Sequence, residues 1–190
     1  PGVVSSALGN YTLDAPTGWT VSGGIGGVFA PAATVTDPAG HPGPNVAWLT
    51  GGATLSQDNG TITAGASYNL SLSVGDRSDQ AWTGGTARLV AVGAGGVTTV
   101  LSTVALPEPA DGGWADVSLA TGPVPAGLAG QTLRIEVQQS GGSQVLVDNV
   151  LVGEPTVFDG TSNSFAFAVN QGSVVDMYYI SSFGGWPGNF

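Results

Sequence analysis

Short runs of alternating apolar and polar residues recur along this chain and set its architecture. Across 68–74, Tyr68, Leu70, Leu72 and Val74 fall on one side of an extended strand, and Asn69, Ser71 and Ser73 on the other. That period of two marks a strand with one buried face. Leu133, Ile135 and Val137 alternate in the same way with Arg134, Glu136 and Gln138, as do Ala115, Val117 and Leu119 with Asp116 and Ser118. Further strands are predicted over 19–22, 46–49, 53–57, 86–92, 97–104 and 144–152, with 88–104 folding as a hairpin across 93–96. No segment sustains the 3.6-residue period of a helix. Gly (32 residues) and Pro (12) punctuate the runs, Gly supplying positive φ and Pro fixing φ at turns. Many short strands with turns between them predict an all-β fold, an antiparallel jelly-roll-like β-sandwich over residues 1–153.

The chain continues past that sandwich. Glu154-Pro155 marks a boundary, since Pro cannot donate to a ladder and restricts the residue before it. The C-terminal extension, 154–190, carries two apolar strand-like runs, 164–169 and 174–180. Such runs require burial, in their own sandwich or in that of a neighbour. Trp186, Phe183 and Phe190 add an aromatic, Gly-rich end that would expose apolar surface unless docked.

Charge narrows the range of partners. Charged residues make up 8% of the chain, against a usual share of about 25%. There is no lysine; the cations are Arg77, Arg88 and Arg134, and the formal net charge is −10. This balance excludes nucleic acid or an anionic membrane as the main partner. No apolar run approaches the ~18 residues that a membrane-spanning helix needs, so no membrane insertion is expected. Cysteine is absent, which removes disulfide and thiolate arguments. No signal peptide is visible at Pro1; export is expected to have removed one, giving an extracellular or cell-surface location. The low surface charge suits a protein partly covered by copies of itself or by a matrix.

A family resemblance rests on pieces that occur in order: Gly18-Trp19-Thr20, Gly27-Val28-Phe29, Asn45-Val46-Ala47-Trp48-Leu49, Leu55-Ser56-Gln57, Tyr68-Asn69-Leu70-Ser71, Val74-Gly75-Asp76-Arg77 and Val147-Asp148-Asn149-Val150. Together they resemble a bacterial extracellular module of the galactose-binding-like jelly-roll type over roughly 1–152. The resemblance implies two face-to-face antiparallel sheets, a structural calcium ion and glycan binding at loops. Asp148 stands where the family's last strand offers a calcium ligand; a bulge cap or an arginine partner is the alternative role. The family's usual opening strand, with its acidic calcium ligand, is not found before Pro1-Gly2-Val3-Val4. Asn163-Ser164-Phe165-Ala166-Phe167 has a similar edge-strand pattern, so a tail strand is expected to fill the missing position, in cis or in the next subunit.

Catalytic constellations are sparse. The only histidine, His41, sits in the turn Gly40-His41-Pro42-Gly43-Pro44, and no G-x-S-x-G elbow exists. Glu108 and Glu154 flank prolines, and Glu136 points out of a strand, so no glycosidase-like carboxylate pair emerges. A P-loop lacks its lysine, and no His/Cys cluster suggests zinc. For sugar binding, Trp82 in the polar stretch 78–85 is the stacking candidate, with Asp79 and Gln80 for hydroxyls. The expectation is therefore a non-catalytic protein. Its first form is a structural protein that self-associates into a filament or surface layer by strand addition, anchored by Phe165, Phe167, Val169, Tyr178 and Tyr179. The alternative is a glycan-binding module that takes polysaccharide at Trp82, Asp79 and Gln80.

Overall fold

A computed structural model describes residues 3–37 and 44–153. The extension 154–190, with Phe165, Phe167, Val169, Tyr178 and Tyr179, lies outside the described residues, as does His41. The strands are β1 (Val4–Ser6), β2 (Gly9–Tyr11), β3 (Thr20–Ser22), β4 (Ile25–Pro31), β5 (Val46–Thr50), β6 (Thr54–Thr61), β7 (Asn69–Gly75), β8 (Gly85–Val92), β9 (Thr98–Ala105), β10 (Trp114–Ala120), β11 (Thr132–Gln139) and β12 (Val145–Gly153). A seven-stranded sheet runs β1-β2-β4-β5-β12-β7-β10, and a five-stranded sheet runs β3-β6-β11-β8-β9. Every described pairing is antiparallel. The fold is the all-β sandwich that the alternation predicts, including the β8–β9 hairpin.

Alternation fills the space between the sheets. Leu70, Leu72 and Val74 of β7, with Val117 and Leu119 of β10, belong to one buried cluster with Leu55, Leu89, Leu133, Ile135 and Val137 of the other sheet. Burying each such side chain contributes about 1.5–3 kcal/mol before the entropy of ordering it is subtracted. Tyr68 is buried in this cluster and is not left unsatisfied, because the Thr63 backbone N–H donates to its Oη at 2.8 Å.

A second core lies on the other face of the larger sheet. It comprises Phe29, Val35, Val46, Trp48 and Leu146, with Tyr11 and Trp114 packed against it. Val145 and Val147 serve the first core and Leu146 the second. The first half of β12 is therefore apolar on both faces, which explains its unbroken Val-Leu-Val run.

β1, β2 and β4 are absent from the strands predicted above. In β4 the reason is glycine used for close approach rather than for turning. A Cβ on Gly27 would lie 2.0 Å from the Thr12 carbonyl oxygen. That oxygen accepts a hydrogen bond from Trp48 Nε1 at 3.1 Å, so the chain after β2 crosses over Gly27 to reach the indole. Gly75 plays a similar part for Trp114, whose ring would meet a Cβ there at 2.8–2.9 Å.

Candidate functional site

β12 changes partners partway along its length. Val145, Leu146 and Val147 pair with Leu49, Trp48 and Ala47 of β5, and Leu146 and Val147 also with Gly75 and Val74 of β7. Beyond Val147 the pairing with β5 stops, and the register with β7 shifts between Asp148 and Leu151. Asn149 lies in this bulge with φ 54°, the one non-glycine residue of positive φ among the described residues. Asn tolerates this region better than most side chains. Bulges bend a strand and re-aim its side chains.

Where β5 and β12 part, a cleft of about 520 Å3 opens. Trp19, Val28, Val46, Leu55, Val147 and Val150 supply apolar wall, and Thr17, Asn45, Gln57 and Asn149 supply polar groups. Asp148 is the one ionisable side chain in the lining. Apolar wall and placed polar groups together are what small-molecule sites present.

The two Asp148 oxygens differ. Oδ1 accepts the Asn149 backbone N–H at 2.8 Å, while Oδ2 is buried with no hydrogen-bond partner among the described residues. Leaving such an atom unmatched costs about 1–3 kcal/mol. Asn149 is held from its other end: its Nδ2 donates to Ser73 Oγ at 3.1 Å, and Ser73 Oγ donates to Asp116 Oδ1 at 3.0 Å. Register explains the grouping, because Ser73 is opposite Asp148 on one side and Asp116 on the other. Of the two alternative roles, Asp148 fills the bulge cap through Oδ1. No arginine pairs with it in the described structure, and the cap it accepts uses only one oxygen. Calcium needs six to eight oxygens. Among the described residues no group of three or more His, Cys, Asp or Glu side chains is gathered for a metal.

The residues read as a sugar site are placed differently from one another. Asp79 is gripped by the Arg77 guanidinium at 2.9 and 2.7 Å, which holds its carboxyl below the usual range. Gln80 Oε1 accepts from Ser143 Oγ at 3.1 Å and from the Gln144 N–H at 3.2 Å. Trp82 is partly buried and packs against the inter-sheet core. Asp79 and Gln80 thus belong to one network around Arg77 and Gln144. Trp19, Asn45, Gln57 and Asn149 fall in the pieces that carry the resemblance, but the sequence reading assigns none of them to a site. The available signal was the Asp148-Asn149 pair interrupting an apolar strand.

Fold and cleft together define an antiparallel β-sandwich with a small-molecule-sized cavity at a strand bulge. The chain belongs to the HpiC1-like family, HpiC1 cyclase, which its sequence matches over residues 3–152. Among solved structures it is similar to an apo-form cyclase from Fischerella sp., at 20% identity and TM-score 0.64, covering 78% of this chain and 88% of that one. It is also similar to the Stig cyclase Fisc of Fischerella sp. TAU, in complex with (3Z)-3-(1-methyl-2-pyrrolidinylidene)-3H-indole, at 19% identity and TM-score 0.65, covering 78% and 89%. A family 4 carbohydrate-binding module matches at 16% identity and TM-score 0.46, over 73% and 96%. No curated protein matches the chain.

These findings correct the functional expectation. The galactose-binding-like resemblance holds for the sandwich fold and gives way at the level of family. A non-catalytic structural protein, forming filaments by strand addition, is not what an HpiC1-like cyclase family implies, and neither is the alternative of a glycan-binding module. The family is one of enzymes. Nucleophile elbows, carboxylate pairs and metal clusters serve hydrolysis, whereas a cyclisation can proceed with one carboxyl beside a cavity, so the absence of those motifs from the sequence does not argue against an enzyme.

Proposed function

We propose that this chain is a cyclase that takes a small, largely apolar, unsaturated nitrogen heterocycle into the cleft beside Asp148. The unpartnered, buried Oδ2 of Asp148 carries this reading. It belongs to the single ionisable side chain lining a cavity of about 520 Å3, large enough for a small polycyclic molecule. Family membership supports the reaction class. The heterocycle bound to Fisc suggests the substrate class.

The chemistry follows from the groups present. The Asp148 carboxyl exchanges a proton with the substrate. A proton given to an electron-rich carbon forms a C–H bond and leaves a cation, which a neighbouring double bond captures to form the ring bond. A proton lost from that product to the carboxylate closes the cycle, so the net change is an isomerisation and needs no co-reactant. The apolar side chains of the lining limit the contact of the cation with water. Trp19, in the lining, supplies an aromatic ring that can stabilise developing positive charge. Asn149 holds the carboxyl through its N–H, and Oδ2, buried in the free protein, serves proton exchange once it turns toward the cleft.

The test is Asp148→Asn, which keeps the oxygen that Asn149 binds and removes proton exchange. Binding of the Fisc ligand, followed by tryptophan fluorescence, is expected to persist within a few-fold. Cyclisation of unsaturated heteroaromatic substrates, followed by mass spectrometry and NMR, is expected to fall by about 10²–10⁴. A variant that cyclises as fast as the wild type removes Asp148 from the chemistry. A wild-type protein that leaves the ligand unbound removes the cleft.

A further inference from the structure

The second core ends in a small pocket that shares no lining residue with the Asp148 cleft. It holds about 230 Å3, and Tyr11, Phe29, Trp48, Arg77, Gln80 and Gln144 supply its aromatic and polar walls. Leu8, 40% exposed, stands at its rim. Each wall is fixed by something else. Tyr11 and Trp48 meet edge to face, with centroids 5.8 Å apart and planes at 85°. The Trp48 indole N–H is spent on Thr12 O at 3.1 Å, so the ring presents its π surface and edge rather than a donor. Arg77 is buried, only 5% exposed. Its guanidinium lies over the Phe29 ring at 5.2 Å, donates twice to Asp79, and donates to Gln144 Oε1 at 2.7 Å.

That wiring orients the two amides. Gln144 Oε1 accepts from Arg77, and Gln80 Oε1 accepts from Ser143 Oγ and the Gln144 N–H. Both side-chain oxygens are therefore occupied, and neither Nε2 has an acceptor among the described residues. Each amide nitrogen carries two donor hydrogens. The pocket thus combines rigid aromatic walls with amide donors, and its one buried cation is already neutralised by Asp79. A ligand that matches is planar, aromatic and neutral, with an oxygen acceptor on its edge. A carboxylate gains no unpaired cation here, and an ammonium finds no unpaired anion.

We propose that this pocket is a second binding site, for a neutral aromatic carbonyl compound of one ring or a small fused pair. It does not depend on the cyclase reading, since no residue of the Asp148 cleft takes part.

Benzamide is the probe, titrated into the whole chain while the tryptophan indole N–H signals are followed by 1H–15N NMR. The Trp48 signal is expected to shift saturably with a dissociation constant in the low millimolar range, as suits a ligand of so few atoms. Cyclohexanecarboxamide, which keeps the carbonyl and loses the flat ring, is expected to bind at least about tenfold more weakly. Benzylammonium is expected to bind no better than that. Tyr11→Ala removes a wall and Gln80→Leu removes a donor; each is expected to weaken benzamide about tenfold. Leu8→Trp, at the exposed edge of the lining, blocks entry and tests the site without changing its aromatic or amide groups. The proposal is overturned if Trp48 shows no saturable shift up to about 20 mM benzamide, if the Trp19 signal moves in its place, or if Leu8→Trp binds as the wild type does.

Discussion

Two polar side chains on neighbouring parts of the chain are treated in opposite ways. Gln139 ends β11 at an inward-facing position and is 1% exposed. Every group it carries is used. Its Oε1 accepts the N–H groups of Gly52 and Gly141, both at 2.8 Å, and its Nε2 donates to Thr83 Oγ1 at 2.8 Å and to Ser143 O at 2.9 Å. Asp148, on β12, has one oxygen tied to Asn149 and the other buried without a partner. Low local dielectric makes a satisfied network strong and an unsatisfied atom costly. A fold that completes Gln139 has used it as a structural tie, and on the proposed reading the open Asp148 is kept for a ligand.

Breaking the tie gives the largest effect. Gln139→Leu keeps the bulk and strips two backbone N–H groups, a hydroxyl and a carbonyl of their partner at once. Each unmatched group costs about 1–3 kcal/mol where water cannot replace the bond. A loss of about 3–5 kcal/mol is expected, read as a lower denaturation midpoint in urea with the slope unchanged. A loss below about 1 kcal/mol would mean that these loops are hydrated on their own, and the contrast with Asp148 would fail.

The bulge beside Asp148 is next. Asn149 has φ 54° and a side chain anchored to Ser73. Asn149→Gly keeps the conformation and loses the anchor, whereas Asn149→Ala loses the anchor and strains the backbone. Alanine is expected to be less stable than glycine by about 1–2 kcal/mol. Equal stabilities would show that the bulge relaxes, and with it the geometry that opens the cleft.

Much of this contrast could be read in part from the sequence. Alternation placed β7, β10 and β11 with their correct inner faces, and it puts Gln139 inward, two positions after Val137. What alternation cannot show is the satisfaction of Gln139. Its partners come from segments around residues 52, 83 and 141–143, and only the packing of both sheets brings them together. β4 is absent from the predicted strands because Gly26-Gly27 breaks the alternation, and the reason for glycine there is the chain that crosses over Gly27. Asp148 was singled out, but as a calcium ligand. Its neighbours in the cleft come from β3's approach, β4, β5 and β6, far apart in the chain. Arg134 and Glu136 also needed the register, since Arg134 bonds Asp58 across to β6 while Glu136 pairs with Arg88 of β8.

A smaller effect comes from the carboxyls flanking Arg77, which sharpen the same rule through pH. Burial is the main cause that raises the Asp76 pKa above 3.8, partly opposed by the Arg77 N–H and reinforced by the charges of Asp111 and Glu108. The fold therefore favours neutral Asp76. That contribution is fully present below the unfolded value of 3.8 and is lost as pH rises through the raised folded value. Asp79 has the opposite sign: the hydrogen bonds from Arg77 lower its pKa, so its contribution is present above 3.8 and is lost as pH falls through the folded value. Asp76→Asn keeps an oxygen for the Arg77 N–H and removes the buried charge. It is expected to raise Tm at pH 7 by about 2–4 °C, an advantage that disappears in acid. A variant less stable than wild type at pH 7 would show that the ionised form is favoured there.

The smallest effect on stability is expected where the effect on function is greatest. Asp148→Asn leaves the oxygen that accepts the Asn149 N–H, alters no apolar contact and removes a carboxylate oxygen that makes no bond. Nothing stabilising is lost, so the denaturation midpoint is expected to match the wild type within about 0.5 kcal/mol. Gln139→Leu inverts this pattern: the population of folded protein drops, while the folded fraction retains an intact cleft, because Gln139 does not line it. Measuring stability and ligand affinity for both variants in the same buffer places them on two axes. If Asp148→Asn costs several kcal/mol, Oδ2 has a structural partner, and the argument from its isolation to a role in proton exchange collapses.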